Sequence, residues 1–157
     1  MLNKMFFTKH GTTNYKALYP FIEAVDCAGG SAHFKAEGFM DFVVENLDRC
    51  EWFLGERMDV YSISHYGEQN GDLMADPDME IGIISDGKAM RVIPLTFQND
   101  YMGMYQRVFN NTPDGWVYSK QLLTELDSFL YEWLKNIEAQ GFYDDIKNIE
   151  PQLDYGD

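Results

Sequence analysis

Between His65 and Glu80 the chain reads His-Tyr-Gly-Glu-Gln-Asn-Gly-Asp-Leu-Met-Ala-Asp-Pro-Asp-Met-Glu, a run that holds the five carboxylates of Glu68, Asp72, Asp76, Asp78 and Glu80. On an extended strand side chains alternate, so Asp76, Asp78 and Glu80 would share one face, with neighbours about 6 to 7 Å apart at the backbone. Such a row suits two chemistries. A hard cation such as Mg²⁺ or Ca²⁺ takes oxygen ligands, and Asp72, Glu68 and Asn70 would add theirs from the turn. A cationic protein would instead meet the same row as a negative ridge. The spacing is not that of an EF-hand, since with Asp72 at the first loop position the sixth, which needs glycine, is Pro77.

Other reactive residues form no recognisable constellation. His65 falls on the apolar side of its expected strand, where a core-edge imidazole bonded to backbone or to a nearby acid is the ordinary outcome. His33 could reach the same sheet end, yet catalysis by a Cys-His or Ser-His pair also needs a nucleophile and an orienting acid in place. Gly-x-Ser-x-Gly, Walker-A and His-Glu-x-x-His patterns are absent from the chain. The sequence therefore assigns no catalytic residue, no metal ion and no cofactor.

Charge narrows the partners. The chain carries 26 Asp and Glu against 12 Lys and Arg, a formal net charge of −14, which repels phosphate backbones and anionic lipid and favours cationic proteins. Direct nucleic-acid and membrane binding are not expected. The candidate partner-binding set is Asp41, Glu45, Glu68, Asp72, Asp76, Asp78 and Glu80. Cys27 and Cys50 are too few for a disulfide framework and have no metal-type spacing, so two reduced, half-buried thiols and a cytoplasmic location are expected. The N-terminus lacks an apolar run of secretory length, and no stretch reaches the 18 or so apolar residues of a membrane span.

The elements that must position these residues can be read from periodicity. With 45% hydrophobic and 15% aromatic residues in a chain of 157, the whole sequence is expected to fold as one domain, with 1–12 and 143–157 as flexible arms. Leu18, Phe21, Ile22 and Val25 predict a helix over about 19–28, with Pro20 in its first turn and Gly29-Gly30 after its end. Residues 39–47 read as a strand, with a helix as the competing pattern. Tyr61, Ile63 and His65 oppose Val60, Ser62, Ser64 and Tyr66 on a second strand, and Asn70-Gly71 marks a turn. A third strand sets Met79, Ile81 and Ile83 against Asp78, Glu80 and Gly82, Asp86-Gly87 turns the chain, and a fourth runs from Met90 to Phe97, with Pro94 implying an edge or a bulge. Tyr101, Met104, Tyr105 and Val108 suggest a helix behind an Asn99-Asp100 cap. After a loop at 110–115, Ser119 caps a long helix to Gly141 whose stripe of Leu122, Leu126, Phe129, Trp133 and Ile137, flanked by Leu123, Leu130 and Leu134, would pack on the sheet. Met74, Met79, Met90, Met102 and Met104 read as core filler.

The strings His33-Phe34-Lys35, His65 to Met74, Asp76 to Glu80, and Gln98-Asn99-Asp100-Tyr101 with Gly103 together resemble an uncharacterised bacterial domain family carried by phages and conjugative elements. The similarity spans about residues 30 to 142, with Gly-Asp-Leu-Met-x-Asp-Pro-x-Met-Glu as its most specific string. The resemblance implies a mobile genetic element as the habitat and supplies no activity and no site residues.

The expected architecture is α+β, an antiparallel sheet of about four strands with the N-terminal and C-terminal helices on one face. The other face would gather Asp41, Glu45, Ser62, Ser64, Asp78 and Glu80. The leading functional expectation is a non-catalytic anti-defence inhibitor, anti-CRISPR-like, mimicking nucleic acid to occupy a basic host nuclease. The alternatives are a small divalent-metal-dependent phosphoesterase using Asp72 to Glu80, and an accessory oligomerisation module.

Overall fold

A computed structural model describes residues 8–86 and 89–151. The helix α1 (Gly11–Cys27) is followed by strands β1 (Ser31–Phe34), β2 (Phe42–Phe53), β3 (Glu56–Gln69), β4 (Asp72–Asp86), β5 (Ala89–Pro94), β6 (Thr96–Asn99), β7 (Met104–Arg107), β8 (Phe109–Thr112) and β9 (Gly115–Tyr118). Helix α2 (Lys120–Ala139) and a 3-10 helix (Phe142–Asn148) complete the chain. The fold is α+β, and its sheet is larger than the four strands expected. Seven antiparallel strands in the order β1-β2-β3-β4-β6-β7, with β5 paired to β4 further along the edge that β6 also uses, form a strongly curled sheet, and β8-β9 is a separate hairpin.

The extra strands arise where local signals were read otherwise. Residues 104–107 are a strand, not a helix, because Gln98 and Asn99 pair with Tyr105 and Met104 across a tight turn; pairing with a sheet outweighs a weak helical spacing interrupted by Gly103. The expected loop at 110–115 is the turn of β8-β9, where the Thr112 hydroxyl accepts from the Asp114 amide at 3.2 Å and donates to the Gly115 carbonyl at 2.7 Å. Pro94 ends β5, the chain breaks register at Leu95, and β6 resumes the pairing, which agrees with an edge position for the proline. The β4-β5 pairing closes at Asp86↔Ala89, while the Asp86-Gly87 turn itself lies outside the described residues.

Alternation holds through the middle of the sheet. Val44, Ile63 and Met79 are cross-strand neighbours on the helix-covered face, as are Tyr61, Ile81 and Pro94. Phe21 of α1 packs edge-on against Phe34 and Phe42, and Trp133 of α2 packs edge-on against Phe42. The stripe of α2 is rotated from the one expected: Leu123, Leu126, Leu130, Trp133, Leu134 and Ile137 are buried, while Phe129 is 38% exposed and touches Phe97. Ser119 caps α2 as anticipated, its Oγ accepting from the Leu122 amide at 3.1 Å. On the opposite sheet face a second apolar group forms at one end, where Val60, Gly82 and Ile93 align and the β8-β9 hairpin stacks Phe109 on Phe53 at 4.3 Å. A Cβ at Gly82 would meet Met58 Sδ at 2.7 Å, so glycine is required there for the close approach.

Helix α1 begins at Gly11 rather than near Tyr19, and Pro20 sits inside it. The cause is tertiary. Asp127 of α2 accepts from the His10 amide at 3.0 Å at the α1 N-terminus, and Asn14, buried in the first turns, reaches the Asp127 carbonyl at 3.4 Å. The first bond satisfies a helix-end amide that no local cap residue serves, and the second ties the opening turns of α1 to α2. The arm expected from residue 143 is instead a 3-10 helix through Asn148, with the Tyr143 hydroxyl donating to the Ala17 carbonyl one turn before Pro20. The residues beyond 151 are outside the description, as are 1–7.

Candidate functional site

Between the apolar end and the β3-β4 turn, the sheet face away from the helices is polar. One row crosses six strands as His33, Val43, Ser64, Asp78, Gln98 and Tyr105, and the next aligns Ser31, Glu45, Ser62 and Glu80. The Glu80 amide donates to the Thr96 Oγ1 at 3.0 Å, which ties β4 to β6 at this row. Glu45, Asp78 and Glu80 thus come together as the register predicted. Two tyrosines flank them: Tyr105 beyond Gln98, and Tyr66, whose hydroxyl donates to Asp78.

The electrostatics are set by crowding and partial burial. Burial pushes the Asp78 carboxyl up, and the charges of Glu80, Glu45 and Asp100 push the same way, while the Tyr66 hydroxyl opposes them. Asp100 is held below its ordinary value by bonds from Gln98 at 2.8 Å and from the Ala75 amide at 2.7 Å. Asp100 therefore braces β4 and does not cap a helix.

Arg49 is the residue that sequence reasoning missed. Three residues of β2 (47–49) oppose one of β3 between the pairs Asn46↔Tyr61 and Cys50↔Asp59, so β2 bulges. Asp48 takes φ +56 within it, a conformation Asp tolerates better than most residues, and its amide is bonded to Asn46 Oδ1 at 2.9 Å. From that bulge Arg49 reaches both Glu80 and, at 3.2 Å, Glu51. A small cleft of about 80 Å³ lies beside the pair, lined by Arg49, Glu80, Thr96 and Arg107 over Phe53 and Phe109. The Asn-Leu-Asp sequence before Arg49 was the available signal for the bulge.

The remaining predicted acids are dispersed. Ser64 pairs with Asp78 and Tyr66 with Ala75, so Asp76 and Pro77 together oppose His65, and this one-residue bulge reverses the alternation. Asp76 consequently leaves the row of Asp78 and Glu80 and accepts from Asn99 at 3.2 Å. Asp72 and Glu68 sit exposed at the end of the β3-β4 hairpin, whose Asn70-Gly71 turn has positive φ at both residues as expected. Asp41 lies at the β1 end, where Lys35 Nζ at 2.9 Å and His33 Nδ1 at 3.3 Å face it; the Lys35 bond first, with help from His33, lowers its pKa. The carboxylates offered as metal ligands are split by the bulge, and among the described residues no group of three or more His, Cys, Asp or Glu is arranged to hold a metal ion.

His65 behaves as a core imidazole. It packs against Phe42, Trp133 and Phe142, its Nδ1 lies 3.0 Å from the Asp41 carbonyl oxygen, and burial lowers its pKa. Cys27 and Cys50 are free and exposed, not half-buried. Of the methionines read as core, Met79 is buried and Met102 is 66% exposed. No helix among the described residues is long and apolar enough to cross a membrane.

Residues 13–143 match a family described as a domain of unknown function (DUF6908), and the chain belongs to that family. No curated protein and no solved structure matches it.

Proposed function

For this member of the DUF6908 family we propose a non-catalytic role, binding a basic protein partner through the polar sheet face. The observation that carries this reading is the alignment of Glu45, Asp78 and Glu80 on adjacent strands of that face, with Asp100 nearby and Asp41, Glu68 and Asp72 at its margins. A carboxylate as crowded as Asp78 would be relieved by an incoming cation, and a chain of net charge −14 attracts one over long range. Arg49 breaks the negative row, so the face is patterned rather than uniformly acidic. The resemblance of the His65 to Glu80 string to a family of phages and conjugative elements makes a host defence nuclease the partner of choice, held in an anti-CRISPR-like manner by mimicry of nucleic acid.

The test is capture from host lysate at low and high salt, followed by inhibition assays on the retained protein. Contacts that are many and individually weak predict a modest loss for Asp78→Asn and abolition when Glu45, Asp78 and Glu80 are neutralised together. All-or-none loss from one carboxylate, or capture that ignores salt, would overturn the proposal.

A further inference from the structure

Helix α1 crosses one end of the helix-covered sheet face without closing against it. A cavity of about 270 Å³ remains in the seam. Tyr15 and Tyr19 line it from α1 with ring centroids 5.8 Å apart, and Tyr61 lines it from β3. Ile22, Ile83 and Met90 add an apolar surface.

Three exposed residues, Glu23, Asp26 and Asp59, bring carboxylates to the same lining, which among the described residues contains no Lys, Arg or His. Asp26 accepts from the Tyr61 hydroxyl at 2.9 and 3.0 Å and from Asn46 at 3.2 Å, so neutral donors fix it in place. Asp59 is met by Arg57 at 3.2 Å, from the adjoining groove rather than from the cavity. Phenol rings attract cations, carboxylates supply the counter-charge, and apolar side chains accept a methylene stem. A hard metal ion would use the carboxylates and gain nothing from the rings or the aliphatic surface.

We infer that this cavity binds an alkylammonium group, its stem against Ile22, Ile83 and Met90 and its charge among the tyrosines and the three carboxylates. The group would come either from a free amine or from a lysine side chain presented by a peptide. Tyr61 and Ile83 face away from the polar sheet face, so the inference stands or falls independently of the partner binding proposed above.

The full chain would be titrated at constant ionic strength with cadaverine, with a short alanine peptide carrying one lysine, and with the same peptide carrying norleucine, following the tyrosine ring signals by NMR. Cadaverine, the lysine peptide or both should saturate with a Kd of about 1 mM or tighter. Tyr19→Ala, at a half-exposed position, and Glu23→Gln, which keeps the side chain's shape, should each weaken binding by about two- to fivefold with the fold intact by circular dichroism. Tighter binding of the lysine peptide than of cadaverine assigns a protein source; cadaverine alone assigns a small amine. A linear, unsaturated response to both amines, equal binding of the norleucine peptide, or folded variants that bind like the parent would overturn the inference.

Discussion

Arg49 donates to Glu80 across 31 positions of sequence, placing a guanidinium inside the row of carboxylates on the polar sheet face. Both side chains are partly exposed, and solvent screening keeps such a pair at about 0 to 1 kcal/mol. Arg49→Met should therefore change unfolding free energy by no more than about 1 kcal/mol. Its larger effect should be on association: with the positive charge gone, a lysine-rich probe should bind faster at low salt, and the difference should vanish as ionic strength rises. Slower association of the variant would show that Arg49 contacts the partner rather than tempering the face.

Asp78 and Asp41 should give stability profiles of opposite slope with pH. Burial raises the folded-state pKa of Asp78, so its contribution is fully present below an unfolded value of about 3.9 and is lost as pH rises through the folded value. Asp41 is lowered, chiefly by Lys35, so its contribution is present above about 3.9 and is lost as pH falls through the folded value. Asp78→Asn should accordingly raise the Tm at pH 7 relative to the parent, with the advantage shrinking towards pH 3, whereas Asp41→Asn should lower the Tm at pH 7 and approach the parent in acid. Thermal melts across this range decide it, and parallel curves for both variants would refute the assignment.

The rotation of α2 separates two aromatic positions that look equivalent in the helical stripe. Trp133 is buried against Phe42 and His65, and Trp133→Ala should cost about 3 to 5 kcal/mol in a denaturant titration. Phe129, more than a third exposed, should cost less than half of that. Equal losses at the two sites would mean that the helix is seated as its sequence stripe suggests.

Asp127→Ala removes the acceptor for the His10 amide at the start of α1. Leaving that donor unpaired should cost about 1 to 3 kcal/mol, and hydrogen exchange should accelerate first in residues 11–15 at the N-terminal end of the helix. Unchanged protection there would show that α1 is held by its apolar face alone.

The sequence by itself determined the class of the fold, the faces of β3 and β4 through their middle, the Asn70-Gly71 turn, the Ser119 cap and the presence of a long amphipathic helix behind it. Each of these rests on bonds or burial within a few residues, which periodicity and turn chemistry record. It also determined the company of Glu45, Asp78 and Glu80, because alternation on paired strands is a local rule. Only the tertiary structure decided the rest. The start of α1 depends on an acceptor from α2, the strand at 104–107 on a partner strand, and the seating of α2 on the surface it meets. Asp76 leaves the row because a bulge against His65 reverses the alternation, and Arg49 enters it because a bulge in β2 bends the chain towards Glu80. A bulge is a mismatch in length between two paired strands, so even where one strand carries a local signal for it, as Asn-Leu-Asp does before Arg49, the side chains it brings together are set only by the pairing.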